Sequence, residues 1–504
     1  MENSLPSMRR LVLRRCNTRR RLFYCLALFL ICVATSFTAN AQTFTNLISF
    51  NGTNGAGPTG TLIQGTDGRI YGVSGGGGAP NDAAAKGSVF KMTSSGALTT
   101  ILDFCPQTPC TDGKNPEGGV VQGSDGSFYG TTYAGGASNL GTVFKVTTSG
   151  TLTVLHSFPG GAGGRSPSSQ LVPGADGAFY GTTAYGGNLV ACGSIGCGTI
   201  FKITSAGTLT IIHTFELTDG SGPTALLLGS DGNFYGVTGG GGTLSDGGEA
   251  EGTVFQMTPA GALTTLHSFA GYTSGDGSAP SGLTQGTDGN LYGATSKGGL
   301  DKAGIIFKVT SSGQLTILYS FTFIDGSGPS GLVQGDDGNF YGTTIGGGLL
   351  DCPANSYCGT IFQITPSGTL TTLHSFDGTD GSTPYSGVMQ ATNGIFYGTT
   401  TQDYYGATCE RDSVDCGTLF SLSMGFPPFV TPRPSSGAVG QKITILGTNL
   451  TGTTAVSFNG TRATFTANGS AIITTVPAGA TSGTITVTTP SGTLSSNVAF
   501  RVSP

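Results

Sequence analysis

Aspartates that could bind a metal ion recur at one position of a repeated pattern. Each is followed by glycine and, within four residues, by proline. The five are Asp112, Asp219, Asp276, Asp325 and Asp380. A ring of such carboxylates predicts a site for Ca²⁺, which takes several oxygen ligands. The simpler interpretation, which the sequence favours, is an Asp-Gly turn in which the carboxylate accepts backbone N–H groups.

The four histidines of the chain occupy one register of a recurrent strand. They are His156, His213, His267 and His374. In other copies of the strand the same register holds Ile48, Leu102 and Tyr319. A position that accepts Ile, Leu or Tyr is predicted to be a packing position, so neither a catalytic nor a metal-binding role is expected for these histidines.

A group of carboxylates near the end of the repeated region is the best catalytic candidate. Asp403, Glu410 and Asp412 could supply the acid and base of an extracellular polysaccharide hydrolase or lyase. A solvated acidic loop is the more common explanation for such a cluster. The sequence contains no nucleophile elbow, P-loop or H-E-x-x-H motif, so no catalytic residue is assigned.

Tyrosines in variable loops are the candidate ligand-binding residues, because their rings can stack on sugars. They are Tyr133, Tyr185, Tyr272, Tyr357, Tyr404 and Tyr405. The absence of tryptophan weakens a lectin interpretation, and the same rings could instead cover loop glycines.

The N-terminus indicates export. Seven arginines precede the apolar stretch LFYCLALFLICVATSF and a small-x-small site at Ala39-Asn40-Ala41, so residues 1–41 are predicted to be a secretory signal peptide. The alternative is an uncleaved membrane anchor; no second spanning segment follows. Cleavage removes those arginines and Glu2, which changes 22 basic and 27 acidic residues to 15 and 26, a net charge of −11. This charge opposes nucleic-acid binding.

Three of the eleven cysteines lie in the predicted signal peptide. The other eight form four close pairs, the arrangement expected of short-loop disulfides in an exported chain. The pairs are Cys105/Cys110, Cys192/Cys197, Cys352/Cys358 and Cys409/Cys416. A zinc site fits poorly, because no second pair or histidine stands near any of them.

These residues are set in a repeat that occurs seven times. Its most recognisable element is D-G-x-x-Y-G or a close variant. The tyrosines of this element are Tyr71, Tyr129, Tyr180, Tyr235, Tyr292, Tyr341 and Tyr397. Each repeat holds four short β-rich runs, here called strands a, b, c and d, with glycine-containing hairpin turns between a and b and between c and d.

Seven such units predict an all-β fold, a seven-bladed β-propeller over residues 42–424. The stretch FTNLISF (44–50) matches strand d, whereas the last repeat stops after strand c at CGTLFSL (416–422). The N-terminal strand is therefore expected to complete the last blade and close the ring. Residues 425–434 are predicted to be a Pro-rich linker, and residues 435–504 a small immunoglobulin-like β-sandwich.

The repeats, typified by GTLTTLHSFDGTDGSTPYSGVMQATNGIFYGTT (368–400), resemble the Gloeobacter/Verrucomicrobia (GloVer) tandem repeat of exported bacterial proteins. The tail SSGAVGQKITILGTNLTGTTAVSFNGTRATF resembles an IPT/TIG domain, an immunoglobulin-like module of secreted and cell-surface proteins. The resemblance implies location and architecture, and it brings no assigned catalytic set.

Propeller topology places the b-to-c loops and the d-to-a connections on one face. All four cysteine pairs are expected in the variable b-to-c loops, which makes this face the predicted recognition surface. The alternative is that these loops vary because they are unconstrained and that the disulfides only protect them against proteolysis. We therefore expect a secreted, periplasmic or cell-surface binding or scaffold protein with a carbohydrate or protein ligand. No cofactor is certain, with Ca²⁺ as the candidate, and the sequence gives no prediction of the oligomeric state.

Overall fold

The computed structural model describes residues 42–503 except for 79–85, 107, 245–247, 249, 274, 349–351, 353–357 and 403–415. The predicted signal peptide thus lies outside the described residues. The described residues from Phe44 onward form one compact unit. No helix in the described ranges has the length and apolar character needed to cross a membrane.

Strands dominate the described part of the chain. Its two helices are single 3-10 turns at Gly161–Gly163 and Gly193–Ile195. Between Thr43 and Ser423 the described strands form seven four-stranded sheets, which we number 1 to 7 in chain order. The first strand, β1 (Thr43–Ser49), belongs to the last of these sheets.

Sheet 1 consists of β2 (Ala56–Gln64), β3 (Ile70–Gly76), β4 (Ser88–Met92) and β5 (Leu98–Asp103). Sheet 2 consists of β6 (Val120–Gln122), β7 (Phe128–Thr132), β8 (Thr142–Val146) and β9 (Leu152–Ser157). Sheet 3 consists of β10 (Val172–Pro173), β11 (Phe179–Thr183), β12 (Thr199–Ile203) and β13 (Leu209–Thr214). Sheet 4 consists of β14 (Ser221–Leu228), β15 (Phe234–Gly240), β16 (Thr253–Met257) and β17 (Leu263–Ser268). Sheet 5 consists of β18 (Ser278–Gln285), β19 (Leu291–Lys297), β20 (Ile305–Val309) and β21 (Leu315–Ser320).

Sheet 6 consists of β22 (Ser327–Gln334), β23 (Phe340–Gly346), β24 (Thr360–Ile364) and β25 (Leu370–Ser375). Sheet 7 has the order β1, β28 (Thr418–Ser423), β27 (Phe396–Thr400) and β26 (Val388–Gln390). The strand nearest the N-terminus therefore lies beside the last strand of the repeated region. The backbone N–H of Phe50 extends this pairing by donating to the carbonyl of Gly417 at 2.9 Å.

The recurring D-G-x-x-Y-G element is a hairpin turn that is closed by its own side chains. Asp231 accepts the Tyr235 hydroxyl at 2.8 Å and the Asn233 backbone N–H at 3.1 Å. Sheets 1 to 6 all have this Asp–Tyr hydrogen bond, at 2.8 to 3.0 Å. In sheet 7 the side-chain amide of Asn393 donates to Tyr397 instead, at 3.0 Å. The element therefore fixes one turn and also satisfies the hydroxyl of a buried tyrosine.

Seven aromatic pairs join neighbouring sheets. In each pair the Phe that follows strand d packs against the Phe of strand c in the next sheet, with ring centroids 5.0 to 5.5 Å apart. The pairs are Phe104–Phe144, Phe158–Phe201, Phe215–Phe255, Phe269–Phe307, Phe321–Phe362, Phe376–Phe420 and Phe50–Phe90. The last of them joins sheet 7 to sheet 1.

Seven backbone hydrogen bonds repeat the same arrangement. The residue before the proline of strand a donates its N–H to a carbonyl of the preceding sheet, and it has a φ of 50 to 60°. The donors are Gly57, Asn115, Ser166, Gly222, Ala279, Gly328 and Thr383. Gly57 donates to Cys416 at 2.9 Å, so this series too joins the first sheet to the last. Because four of the seven are not glycine, the left-handed conformation is imposed by the packing of adjacent sheets.

The C-terminal residues form two further four-stranded sheets and a parallel pair. Their strands are β29 (Thr431–Arg433), β30 (Ser436–Ala438), β31 (Lys442–Leu446), β32 (Ala455–Phe458), β33 (Thr461–Arg462), β34 (Phe465–Ala467), β35 (Ala471–Thr475), β36 (Ile485–Thr489), β37 (Gly492–Ser495) and β38 (Arg501–Ser503). The sheet orders are β29-β31-β35-β34 and β33-β32-β36-β37, and β30 pairs with β38. One core that includes Ile445, Ile472 and Val487 is shared by both sheets.

The segment predicted to be a linker, residues 425–434, differs from that expectation in its second half. Thr431–Arg433 forms strand β29, which pairs with β31 through Pro432 opposite Ile445. Pro432 lacks an N–H, and an edge strand is the place in a sheet where that loss is tolerated.

Candidate functional site

The b-to-c loops and the d-to-a connections lie at the same edge of each sheet, because the four strands run antiparallel in the order a, b, c, d. We call this edge the loop face and the opposite edge, with its short a-to-b and c-to-d turns, the turn face. Most of the exposed large apolar side chains of the repeated region lie on the loop face, including Val190, Leu300 and Ile324.

The aspartates predicted as metal ligands are engaged in their own turns. One carboxylate oxygen of Asp219, Asp325 and Asp380 accepts the backbone N–H three residues earlier, at 2.8 to 3.1 Å. Asp276 accepts the N–H of Ala270 at 3.0 Å, and Asp112 accepts that of Cys105 at 3.1 Å.

In four of these aspartates a carboxylate oxygen also faces a side chain of strand d. The partners and distances are His213 to Asp219 at 3.0 Å, His267 to Asp276 at 3.5 Å, Tyr319 to Asp325 at 2.5 Å and His374 to Asp380 at 2.7 Å. Sequence reasoning treated the histidines and the aspartates as separate series and missed this pairing. The signal was present, because histidine or tyrosine stands six residues before the aspartate in three of the four pairs.

His156 is the exception among the histidines. No aspartate stands between it and the proline of the next strand a. Its Nε2 atom, like that of His267, is buried without a hydrogen-bond partner in the described structure. Burial lowers the pKa of His156, because the charged imidazolium would lose its hydration. It is a packing residue at the position that Ile48 and Leu102 fill elsewhere.

These aspartates do not converge with other ligands. Within the described ranges, no group of three or more His, Cys, Asp or Glu side chains is arranged to hold a metal ion. The Ca²⁺ site stays a prediction, and calorimetry with Ca²⁺ on the mature protein tests it.

Two of the predicted ligand-binding tyrosines are brought together on the loop face. Tyr133 follows strand b of sheet 2 and Tyr185 follows strand b of sheet 3. The pKa of Tyr133 is raised, first by burial and then by the neighbouring Tyr185 hydroxyl and the charge of Glu117, while a hydrogen bond with Ser166 opposes the shift. Hydroxyl groups from two adjacent sheets and a carboxyl group therefore meet in one place.

Arg165 completes this group, which we call the tyrosine cluster: Glu117, Tyr133, Arg165, Ser166 and Tyr185. Its guanidinium carbon lies 5.5 Å from the centre of the Tyr185 ring, within the range of a cation–π contact. Backbone hydrogen bonds of 2.9 and 3.3 Å between Arg165 and Tyr185 fix the two residues side by side.

Glu117 was not singled out from the sequence. It stands directly after the proline of strand a, where the other repeats have Thr, Ser or Tyr. Burial raises the pKa of this half-buried carboxyl. The backbone beside it is closely packed, since a Cβ on Gly118 would lie 2.3 Å from the carbonyl oxygen of Ser169.

The other predicted site residues lie elsewhere. Tyr272 is on the d-to-a connection after sheet 4, where the Lys302 amine lies 4.9 Å from its ring centre and its N–H binds Glu251 at 3.1 Å. The remaining candidates fall outside the described residues. They are Tyr357, Asp403, Tyr404, Tyr405, Glu410 and Asp412.

Disulfides brace the loop face. The bonds Cys105–Cys110, Cys192–Cys197 and Cys352–Cys358 are formed. Cys416 is also disulfide-bonded, and Cys409, its expected partner, lies outside the described residues. One placement was wrong: Cys105 and Cys110 follow β5 and so belong to a d-to-a connection instead of a b-to-c loop. Both kinds of connection lie on the loop face.

This arrangement of four-stranded sheets is that of a propeller-like all-β protein, and solved structures agree. A structure described as streptogramin B lyase is similar over 77% of this chain and 99% of its own, with a TM-score of 0.51 and 16% identity. A fungal alcohol oxidase of the AA5 family, in complex with copper, is similar over 92% and 99%, with a TM-score of 0.50 and 13% identity. At these identities the likeness shows the fold alone.

The chain belongs to the Gloeobacter/Verrucomicrobia repeat family, which matches it over residues 33–189, 82–275, 188–407 and 242–466. No curated protein matches it.

Proposed function

We propose that this protein is an exported, non-enzymatic binding protein whose loop face recognises a carbohydrate, and that its seven four-stranded sheets are the blades of a closed β-propeller. Closure is supported by the Phe50–Phe90 pair and by the Gly57–Cys416 hydrogen bond, which repeat between sheets 7 and 1 the contacts of the other neighbouring sheets. We assign the C-terminal sandwich as an IPT/TIG domain.

Export is supported by the N-terminal pattern at residues 1–41 and by the disulfides, since disulfides persist in oxidising compartments. The destination would be the periplasm, the cell surface or the medium.

The tyrosine cluster is the observation that carries the proposed carbohydrate ligand. Sugars present C–H faces, which stack on tyrosine rings, and hydroxyl groups, which bind carboxylates and guanidinium groups. Tyr133, Tyr185, Glu117 and Arg165 offer these partners within one group on the loop face.

A glycan array with the mature protein and its Tyr185→Ala variant tests the proposal. We expect binding to at least one glycan class and a loss of about tenfold on removal of the ring. Tyr272→Ala is the matched control, because this tyrosine also lies on the loop face beside a cation but outside the tyrosine cluster. Binding that survives both Tyr185→Ala and Tyr133→Ala, or an array without signal, would reject the proposed site.

An extracellular polysaccharide lyase or hydrolase is the second candidate. The raised pKa of Glu117 favours it, because a carboxyl that holds its proton can serve as a general acid. Turnover assays on the bound glycans decide between the two. Saturable turnover that is lost in Glu117→Gln, or on substitution of Asp403, Glu410 or Asp412, would establish an enzyme, whereas binding without product supports the first candidate.

A further inference from the structure

The C-terminal domain contacts the repeated region at two sheets. Arg433 donates to the carbonyl of Gln64 at 2.9 Å, and the Ser470 hydroxyl donates to the carbonyl of Thr66 at 2.8 Å, both in sheet 1. In sheet 7 the carbonyl of Thr392 accepts the Phe429 N–H at 3.0 Å. The hydroxyls of Thr392 and Thr448 share a hydrogen bond of 3.0 Å.

The glycines of the equivalent a-to-b turns show how selective this docking is. A Cβ on Gly68 of sheet 1 would lie 3.0 Å from Ser470 Cβ, and one on Gly394 of sheet 7 would lie 2.4 Å from the carbonyl of Phe426. The same atom would meet open space in the turns of the five other sheets. Those turns contain Gly126, Gly177, Gly232, Gly289 and Gly338. The chain that follows β28 therefore covers the two turns on either side of one boundary and leaves the others bare.

That boundary is where the two ends of the repeated region meet. Strand β1 continues directly into sheet 1, whereas β28 continues into the C-terminal domain, so no covalent link joins β1 to β28. Two backbone hydrogen bonds of 2.9 Å cross this seam. The N–H of Phe50 donates to the carbonyl of Gly417, and the N–H of Gly57 donates to the carbonyl of Cys416. A domain that is attached to β28 and bound to Gln64 and Thr66 spans the seam.

The side chain of Arg433 is partly buried at this contact. The partial loss of water around its guanidinium lowers the pKa of Arg433 to about 10. Its single hydrogen-bond acceptor in the described structure is the Gln64 carbonyl. A cation placed in this way costs free energy unless the acceptor stays in place, so the contact is specific for the turn of sheet 1.

We infer that the C-terminal domain functions as a clasp that holds the repeated region closed, a role that rests on the proposed ring and is independent of the ligand. The clasp ties the C-terminal side of the seam to sheet 1 and leaves the loop face uncovered.

Hydrogen exchange on the full chain, followed by mass spectrometry, tests the clasp with the variant Arg433→Met. Peptides covering 50–57 carry the amides of Phe50 and Gly57 that cross the seam. Peptides covering 321–328 carry the equivalent amides of Phe321, which binds Gly304 within sheet 5, and of Gly328, which binds Ala303 across the boundary between sheets 5 and 6. We expect exchange in 50–57 to accelerate about tenfold and exchange in 321–328 to stay unchanged. Arg501→Met, which replaces an exposed arginine of the same domain, should alter neither.

If Arg433→Met does not fold, a second pair of variants tests the clasp. Gly68→Asn and Gly126→Asn introduce the same residue at φ values of 78° and 81°, which asparagine tolerates, but only Gly68 faces Ser470. Faster exchange in 50–57 for Gly68→Asn alone supports the clasp. Equal behaviour of the two glycine variants, or an effect of Arg433→Met confined to residues 429–503, would overturn it. Rapid exchange of 50–57 in the unsubstituted protein would overturn the closed ring itself.

Discussion

The side-chain carbonyl of Gln64 accepts the backbone N–H of Thr392 at 2.9 Å across 328 positions of sequence. The same bond joins other neighbouring sheets, for example Gln285 to the N–H of Ser230 at 2.8 Å. A glutamine at the end of strand a thus caps the turn of the preceding sheet, and Gln64 does so between the two ends of the repeated region.

Gln64→Ala and Gln285→Ala should therefore lower the free energy of unfolding by similar amounts, about 1 kcal/mol each, because each removes one inter-sheet hydrogen bond. Chemical denaturation followed by fluorescence measures both. A clear loss for Gln285→Ala with none for Gln64→Ala would mean that sheets 1 and 7 are not joined in solution.

Asp231→Ala should destabilise the protein by about 1 kcal/mol, because it removes the acceptor of the Tyr235 hydroxyl and of the Asn233 N–H. Asp231→Asn is the matched control, and it should cost less, since Asn393 fills this position in sheet 7 and binds Tyr397. Thermal unfolding measures the difference. Equal losses in the two variants would show that the side-chain hydrogen bonds of the turn contribute little.

His156→Leu should make stability less dependent on pH. Burial lowers the pKa of His156 in the folded state, whereas the unfolded chain titrates at about 6.5. Below that pH the unfolded chain takes up a proton that the folded protein does not, so the native histidine loses stability as the pH falls. As the pH is lowered from about 7.5 to about 5, the stability of His156→Leu relative to the native protein should therefore increase. Parallel pH profiles would contradict this.

Glu117→Gln should stabilise the protein at neutral pH and weaken glycan binding. Burial raises the pKa of Glu117 in the folded state above its value in the unfolded chain. The free energy of unfolding therefore falls as the pH rises through these two pKa values. Glutamine does not ionise, so the variant avoids this loss. Melting temperatures at pH 4 and pH 7 measure the effect. Glu251→Gln is the control, because that carboxylate accepts the Tyr272 N–H and its loss should not stabilise the protein. A lower melting temperature for Glu117→Gln at pH 7 would contradict the sign.

Replacing Cys192 and Cys197 together by serine should cost about 2 kcal/mol in the chain-entropy model of a short loop. We expect the exposed segment that includes Val190 and Ile195 to become the first site of proteolytic cleavage, with mass spectrometry of the fragments as the measurement. Unchanged cleavage sites would show that the loop is held by its other contacts.

The repeated architecture could be predicted from the sequence because its signals are local and multiplied. Glycine, aspartate and tyrosine at fixed spacing specify a turn, and the mismatch between an N-terminal strand d and a last repeat without one places β1 beside β28. The strand at Thr431–Arg433 was not predicted, because the four prolines of residues 425–434 indicated a linker. Its pairing with β31 depends on a partner further along the chain.

The candidate site was predicted only in part. Tyr133 and Tyr185 were chosen one by one from variable loops, and their meeting depends on the side-by-side packing of sheets 2 and 3. Glu117 and Arg165 escaped notice because each departs from its repeat at a single position. The pairing of His213 with Asp219 was missed because strand and turn were considered separately.

The main-chain hydrogen bonds made by the residue before the proline of each strand a have an evolutionary consequence. Donor and acceptor are both backbone atoms, so the side chain at Asn115, Ser166, Ala279 or Thr383 is not part of the bond. Each unit also carries one phenylalanine for the neighbour before it and another for the neighbour after it. Any copy is thus compatible with any other as a neighbour, and duplication or exchange of whole units could diversify the loops while the joints stay the same.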